Sequence, residues 1–280
     1  MQLLVTGGGV HIGEAELRLG VFLCVFIVMA AAEAMRPKRK LSHDRRRRWF
    51  TNLSIVVLDS AVVRLMGALA IPLVAVSAAI YAAQQGWGFF NWLDWPVWVE
   101  WLVVIVLLDL AIWFQHLVSH KVPVLWRLHR MHHADVDIDV TTAIRFHPIE
   151  IALSMLWKIV CVVALGAAPE AVILFEIILN GLAMFNHANV ALPESVDRVL
   201  RMFVVTPDMH RVHHSVLRHE HNSNYGFNLS IWDRLFRTYT PQPEMGHDGM
   251  TIGLTPYQSD DPTRLSWSLL LPFRGRSSRS

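Results

Sequence analysis

Residues 97–133 read VWVEWLVVIVLLDLAIWFQHLVSHKVPVLWRLHRMHH and join a long apolar segment to two histidine motifs. The apolar part, Val97 to Val118, is long enough to cross the ~30 Å hydrocarbon core of a bilayer as one helix. At its end come His116-Leu-Val-Ser-His120 and then His129-Arg-Met-His132-His133. The stretch therefore predicts a membrane helix that leads into a histidine-rich site.

The whole chain has the composition of a membrane protein. Of its 280 residues, 53% are hydrophobic and only 17% are charged. A single helix from Phe50 to Ala83 would be about 50 Å long, so we place Phe50–Arg64 at or below the membrane surface. We predict an all-α integral membrane protein with four to five membrane helices or half-hairpins, the others being Leu19–Met35, Leu65–Ala83, Ile149–Gly166 and Ala171–Phe185.

Basic residues near the spans predict the orientation of the chain. Segment Arg36–Arg48 carries eight Lys or Arg residues, whereas Gln84–Pro96 has none and is rich in tryptophan. We therefore expect Arg36–Arg48 in the cytoplasm, and the histidine motifs on that same face. The predicted regions are an N-terminal membrane region (1–96), a catalytic domain (97–240) and a cytoplasmic tail (241–280).

The histidines predict a site with two metal ions. On a helix, positions i, i+3 and i+4 share one face, so each HxxHH motif is expected to direct three imidazoles to one point. Neutral imidazole binds iron, copper, zinc and nickel, and the eight motif histidines exceed the four ligands of a closed zinc site. The candidate ligands are His116, His120, His129, His132, His133, His187, His210, His213 and His214.

Several of these residues have simpler interpretations. The two HxxHH motifs could be an incidental polar helix face or a metal-buffering tract, although their regular spacing favours a defined site. His187 could cap a helix end. His147, before Pro148, is either a ligand or a turn residue. The histidines without motif spacing are expected at the surface: His11, His43, His219, His221 and His247.

Three polar residues are candidates for hydrogen bonds that orient the ligands. Asp109 lies two turns before His116 on the same helix face and could accept a hydrogen bond from a ligand histidine. Its alternative is a cap or a pair with Arg64. Asn189 and Asp208 are the other two candidates. The glycine-rich stretch Leu3–Gly9 resembles a dinucleotide-binding turn, but a membrane span follows it, so we expect only a flexible terminus.

The order of the motifs, with a single histidine after a membrane hairpin, resembles the fatty acid hydroxylase and sterol desaturase superfamily of membrane di-iron oxygenases. The resemblance covers roughly Leu102 to Tyr239. One departure is that His187 is followed at the fourth position by Ala191, where some members have a second histidine. The sequence segments that carry the resemblance are Arg145-Phe-His-Pro-Ile-Glu150, Phe185-Asn-His-Ala-Asn189, Met209-His-Arg-Val-His-His-Ser215 and Asn224-Tyr-Gly-Phe-Asn-Leu-Ser-Ile-Trp-Asp-Arg-Leu-Phe236.

The resemblance implies O2-dependent hydroxylation or desaturation of an unactivated C–H bond in a membrane lipid. It implies two Fe2+ ions, with zinc as a substitute in purified material. Because the chain has no haem motif, Cys cluster or flavin motif, we expect an external electron donor of the ferredoxin or cytochrome b5 type. We expect no nucleic-acid partner. The lipid should enter between the third span and the following hairpin, and Asn224, Tyr225 and Trp232 either line its pocket or anchor the protein at the interface.

A non-enzymatic metal protein is the alternative from another class. A divalent-cation transporter should place ionisable ligands near the middle of the bilayer, in broken helices. The histidine motifs instead follow the ends of apolar runs, which favours the enzyme over a transporter or sensor.

Overall fold

The computed structural model describes residues 13–69 and 74–275. Within these ranges the fold is all-α, as predicted, and three isolated β-bridges are its only extended pairings. Short 3-10 turns, among them Thr142–Ile144, connect some of the helices. The α-helices are α1 (Glu14–Met35), α2 (Arg45–Leu69), α3 (Ala75–Gln85), α4 (Val97–Lys121), α5 (Pro123–His133), α6 (Pro148–Leu165), α7 (Pro169–His187), α8 (Glu194–Leu200), α9 (Pro207–His213), α10 (Arg218–His221), α11 (Ile231–Leu235), α12 (Gly246–Gly249) and α13 (Leu265–Leu270).

Five of these helices are long and apolar enough to cross a membrane, namely α1, α2, α4, α6 and α7. The predicted multi-pass architecture is thereby confirmed. The predicted span Leu65–Ala83 is wrong, because α2 ends at Leu69 and α3 begins only at Ala75. Pro72 lies between them in the sequence, and a helix usually ends before a proline because proline lacks the amide hydrogen. Segment Phe50–Arg64 accordingly belongs to the second candidate span.

The hairpin of α6 and α7 is the centre of the bundle, since α1, α2, α3 and α4 all pack against it. Both helices start with a proline at their first position, where no amide hydrogen is needed. Between them Gly166 has a φ of 66°, the left-handed conformation that favours glycine. Gly88 approaches this turn so closely that an added Cβ would lie 2.1 Å from the Gly166 nitrogen. This turn and the loop around Gly88 therefore form the end of the bundle that is remote from the histidines.

The histidine motifs meet at the opposite end of the bundle. There the Asn189 amide, after α7, donates to Glu33 Oε1 near the end of α1 at 2.8 Å. Lys38, after α1, donates its amide to the Asn189 carbonyl at 3.0 Å. The antiparallel hairpin and the direction of α4 bring His187 and the start of α5 to the same end. The basic segment Arg36–Arg48 lies there as well.

Residues 241–275 pack onto this end and do not extend away from it. Trp267 and Leu271 form an apolar cluster with Ile55 of α2 and Met131 of α5. The Arg145 guanidinium, just before α6, donates to Ser268 Oγ at 2.8 Å. The segment predicted as a tail therefore supports the helices that carry the histidines. The stretch Leu3–Gly9 and His11 lie outside the described residues.

A buried ion-pair network joins α2 to the loop after α5. Arg48 is fully buried, and its guanidinium donates two hydrogen bonds to Asp135 and one to Asp139, at 2.7–2.9 Å. Asn52, one turn along α2, donates to the same Asp135 at 3.2 Å. Because Asp135 follows His133 by two residues, this network holds the end of α5 in place.

Replacing Arg48 by methionine should destabilise the protein by about 3–5 kcal/mol, because two buried carboxylates lose their partner. Thermal unfolding of detergent-purified protein would measure the loss. Arg47→Met, at an exposed position of the same turn, is the matched control and should change the stability little. Equal melting temperatures for the two variants would contradict a structural role of the network.

Candidate metal centre

The nine candidate ligands come together in two groups. Within each group, one ring nitrogen from every histidine lies within 4.8 Å of all the others. The residues of the first group lie on α4, α5 and α9. Those of the second group lie on α5, α7 and α9 and at the position that follows α9. The first group is His116, His120, His129, His133 and His213, and the second is His132, His187, His210 and His214.

Each HxxHH motif is divided between the two groups, so the expectation that it directs three imidazoles to one point is wrong. His129 and His133 belong to the first group, whereas His132 belongs to the second. Successive residues of a helix are rotated by about 100° around its axis. Viewed along the axis, residues i+3 and i+4 therefore lie on opposite sides of residue i. In α9 the division is reversed: His210 and His214 join the second group and His213 the first. The two short helices thus contribute to both groups.

The distances between ring nitrogens fit a shared cation. In the first group His116 Nε2 lies 3.1 Å from His129 Nε2 and 3.0 Å from His213 Nε2. In the second group His187 Nε2 lies 3.2 Å from His132 Nε2 and 3.1 Å from His210 Nε2. Two nitrogens about 2.1 Å from one ion, at an angle between 90° and 109°, are about 3.0–3.4 Å apart.

The hydrogen bonds of the other ring nitrogens leave the Nε2 lone pairs facing one another. Acceptors surround several Nδ1 atoms: the Tyr225 carbonyl at 2.7 Å from His116 and the Ala183 carbonyl at 2.8 Å from His187. Nδ1 must therefore carry the proton, and Nε2 carries a lone pair. Opposed lone pairs at 3.0–3.2 Å repel unless a cation lies between them. In addition, both ring nitrogens of His120, His133 and His214 are buried without a hydrogen-bond partner in the described part of the chain. The residues present therefore fit metal ions.

Burial favours the neutral form of five of the ligands. Burial, and next the charge of neighbouring imidazoles, lower the pKa of His132, His133, His210, His213 and His214 well below the ordinary value. A neutral imidazole is the form that binds a metal. The all-histidine groups carry no ligand charge of their own, so bound divalent ions would keep their full positive charge.

One short loop sets the orientation of two ligands from different helices. The Ser223 carbonyl accepts from His213 Nδ1 at 2.6 Å, and the Tyr225 carbonyl accepts from His116 Nδ1. Asn224 lies between them with a φ of 51°, the left-handed region that asparagine tolerates better than most residues. Its side-chain amide donates to the Met209 carbonyl at 2.9 Å. Asn224 therefore gives the loop both its bend and its attachment to α9.

Two carboxylates hold this loop from the side of α4 and α11. Asp233 accepts hydrogen bonds from the Tyr225 and Gly226 amides, both at 2.9 Å. Asp109 Oδ2 accepts from Trp232 Nε1 at 2.8 Å and from the Leu229 amide at 3.1 Å. The expected hydrogen bond from a ligand histidine to Asp109 is therefore not formed in the described structure. Asp109 instead anchors the loop whose carbonyls contact His116 and His213.

Sequence reasoning missed Glu150 as the carboxylate that contacts a ligand. Its Oε1 lies 2.7 Å from His129 Nδ1, so Glu150 fixes the tautomer of His129 and increases its basicity as a ligand. The only signal was its place in the stretch Arg145–Glu150, since helical spacing cannot relate Glu150 to a histidine on another helix. Asp109 was the stronger candidate by spacing alone.

Other predicted residues lie beside the two groups and contact no ligand histidine. Asn189 Oδ1 accepts from the Arg39 amide at 3.0 Å, and its side-chain amide donates to the Arg39 carbonyl. Asp208 pairs with Lys38 and Arg211. His147 caps α6 by accepting a hydrogen bond from the Ile149 amide, which is the turn role and not the ligand role. All three lie at the end of the bundle where the histidines meet.

We expected the five histidines without motif spacing at the surface. Four of them lie in the described residues, and they differ in their exposure. His219 is exposed, whereas His43, His221 and His247 are half-buried. The ring of His221 stacks on Trp126 at a centroid distance of 5.7 Å and lies 6.3 Å from that of His120. Burial lowers its pKa to about 4, so His221 is neutral beside the first group.

A cavity of about 200 Å³ lies against the first histidine group. His116 and His129 are part of its wall, together with residues of α1, α2, α4, α6 and α7. The predicted entry between the third span and the hairpin agrees with the walls from α4, α6 and α7, but α1 and α2 contribute as well. Asn224, Tyr225 and Trp232 do not line this cavity. A bound molecule inside it would touch histidines that are candidate ligands.

The chain is similar to known lipid hydroxylases. The family model for fatty acid hydroxylase matches residues 101–238. Ornithine lipid hydroxylase of Rhizobium tropici is 26% identical over 234 residues, which cover 82% of this chain and 70% of that protein. Alkylglycerol monooxygenase of Xenopus tropicalis is 29% identical over 191 residues, covering 66% of this chain and 40% of that protein. The human alkylglycerol monooxygenase is 28% identical over 177 residues, covering 62% and 38%. No solved structure matches the chain significantly.

Replacing Asn224 by alanine should weaken metal binding by about 10- to 100-fold, because the carbonyls that orient His116 and His213 lose their fixed positions. Competition with a chelator would measure the affinity. Asn224→Gly permits the left-handed backbone but removes the side-chain hydrogen bonds, and should show an intermediate loss. Asn222→Ala, two residues away and outside the metal groups, should bind as the wild type does. Unchanged affinity in Asn224→Ala would show that the loop does not orient the ligands.

Proposed function

Because the chain belongs to the fatty acid hydroxylase superfamily, we propose that it is a di-iron oxygenase that hydroxylates an unactivated C–H bond of a membrane lipid with O2. The predicted family and the class of oxidoreductase acting on lipids are confirmed. The relatives are lipid hydroxylases, and the histidine groups indicate a metal-dependent enzyme. The number and identity of the metals, the ligand set and the substrate are parts of the proposal.

The observation that carries the proposal is the pair of converging histidine groups. The five residues His116, His120, His129, His133 and His213 would hold one ion, and His132, His187, His210 and His214 the other. Two bound Fe2+ ions would supply the reduction of O2 and an oxidant able to remove hydrogen from an unactivated carbon. Histidines suit iron but also zinc, so we expect zinc as a substitute in purified material.

The other polar groups around the site act without gaining or losing a proton during the reaction. Glu150 and the carbonyls of Ser223, Tyr225 and Ala183 hold the protons on Nδ1, and so keep each Nε2 available as a ligand. The cavity would place a lipid beside His116 and His129. Hydroxylation is favoured over desaturation because the named relatives are a hydroxylase and a monooxygenase.

We further propose that the site faces the cytoplasm and receives electrons from an external ferredoxin or cytochrome b5-type protein. The support is the basic segment Arg36–Arg48, which lies at the same end of the bundle as the histidines. Transport is less well supported, because the histidine groups lie at one end of the helices and not in a broken helix at their middle.

Metal analysis with Mössbauer spectroscopy should find about two coupled irons per chain in protein from iron-57-grown cells, as expected for two groups that each complete one site. The double variant His213→Ala, His214→Ala removes one ligand from each group and should lose both ions. His147→Asn replaces a buried histidine outside the groups and preserves the helix cap, since asparagine is a good capping residue. It should keep the iron. A single tight zinc, or iron that survives the double variant, would favour a metal transporter or sensor.

Turnover with ¹⁸O2 should place labelled oxygen in a lipid product, since one atom of O2 enters the new hydroxyl group. Lipid extracts from cells with and without the protein can be compared by mass spectrometry. Purified protein should require an added ferredoxin or cytochrome b5 system. Turnover with NAD(P)H alone would exclude the external carrier, and label derived only from water would exclude the oxygenase.

A further inference from the structure

The cavity beside the first histidine group has polar side chains in its wall as well as apolar ones. Nine of its eighteen lining side chains are polar or charged, counting the two ligand histidines. Glu150, Ser154 and Lys158 follow one another at intervals of four residues on α6 and so form one stripe along its wall. The stripe spans about 12 Å from Glu150 to Lys158. A molecule that fills this cavity can therefore place polar groups of its own against this stripe.

Asp59 is a carboxyl group without a partner in this wall, within the described part of the chain. Its side chain lies on α2, is only 6% exposed and lines the cavity. Asp59 has no hydrogen bond or ion pair in residues 13–69 and 74–275, and its Oδ1 is fully buried. Glu150 lines the same cavity. A buried carboxylate without a partner is unfavourable, so a cationic group bound in the cavity beside Asp59 would be stabilised.

The other charged groups in the wall already have partners. Glu150 Oε1 is engaged with His129, although its Oε2 is buried without a hydrogen bond. Lys158 donates to Glu176 at 2.6 Å, and Arg18 pairs with the same Glu176 at 2.7 Å. Among the buried carboxylate oxygens of the lining residues, Asp59 Oδ1 and Glu150 Oε2 thus have no hydrogen-bond partner in the described structure. An ionised carboxylate accepts hydrogen bonds and donates none.

We infer that Asp59, assisted by Glu150, binds a primary ammonium group of the lipid substrate and so selects amine-bearing lipids over neutral ones. An ammonium has three donors and one positive charge, which suits two carboxylates that line one cavity. This inference rests on the proposed function and specifies its substrate class. The two kinds of relative differ in this respect, since an ornithine lipid carries an amine and an alkylglycerol does not.

Binding of matched lipids to the purified full-length protein in nanodiscs tests the inference. The probes are a radiolabelled ornithine lipid and its Nδ-acetylated form, which has the same chain but no ammonium charge. Wild-type protein should bind the amine form at least about tenfold more tightly, as a charge-assisted hydrogen bond provides. Asp59→Asn should abolish that preference while leaving the binding of the acetylated lipid unchanged.

Two further variants control for folding and for position. Asp59→Glu keeps the carboxylate and should therefore keep the preference for the amine lipid. If Asp59 had a purely structural role, the Glu and Asn variants would show the same preference between the two lipids. Ser60→Ala changes an exposed neighbour and should behave as the wild type does. Metal content and melting temperature are measured on every variant. Loss of metal in Asp59→Asn would mean that the carboxylate balances the charge of the metals, and would overturn the inference.

Failure of the inference can be distinguished from failure of the proposed function. Wild-type protein that hydroxylates a lipid but binds both probes equally, or prefers a neutral alkylglycerol, would overturn the role of Asp59 and leave the oxygenase intact. An amine preference that depends on Asp59, in protein that shows no O2-dependent hydroxylation, would support the recognition site and contradict the oxygenase.

Discussion

The repulsion between converging imidazole lone pairs is the constraint on which this structure depends. Nε2 atoms of different helices lie 3.0–3.2 Å apart with their lone pairs opposed. Such an arrangement is unfavourable in a buried site unless cations lie between the nitrogens, and it needs a scaffold that resists the separation of the helices. Much of the fold around the site can be understood as that scaffold.

The scaffold acts through hydrogen bonds that cross between elements distant in sequence. Arg48 connects α2 to the loop after α5, and Asp109 connects α4 to the loop before α11. Glu150 joins α6 directly to a histidine of α5. Each of these side chains is buried, where a hydrogen bond to a charged group is stronger than in water and its loss is costly. The short helices α5 and α9 are thereby held rigidly although neither is long enough to be stable alone.

The cavity connects the metal chemistry with the choice of lipid. A membrane enzyme can draw its substrate from the bilayer, so apolar contacts alone would discriminate poorly among lipids that share similar chains. The polar wall formed by α2 and α6 offers a stronger basis for selection, because an unpaired buried acceptor rejects molecules that lack the matching donor. Glu150 contacts His129 and Asp59 lines the same cavity, so recognition and positioning would depend on neighbouring contacts.

Local sequence patterns determined the all-α membrane architecture, the hairpin of α6 and α7 and the membership of nine histidines in one site region. Apolar run length and HxxHH spacing are properties of single helices, so they can be recognised without knowledge of the fold. Only the tertiary structure decided how each HxxHH motif divides between two groups, because that depends on which helices face either side of α5 and α9. The same holds for Glu150 in place of Asp109 as the partner of a ligand, and for the position of Asp59 in the cavity wall. These contacts join residues separated by many positions in the chain, and helical periodicity carries no information about which helices become neighbours.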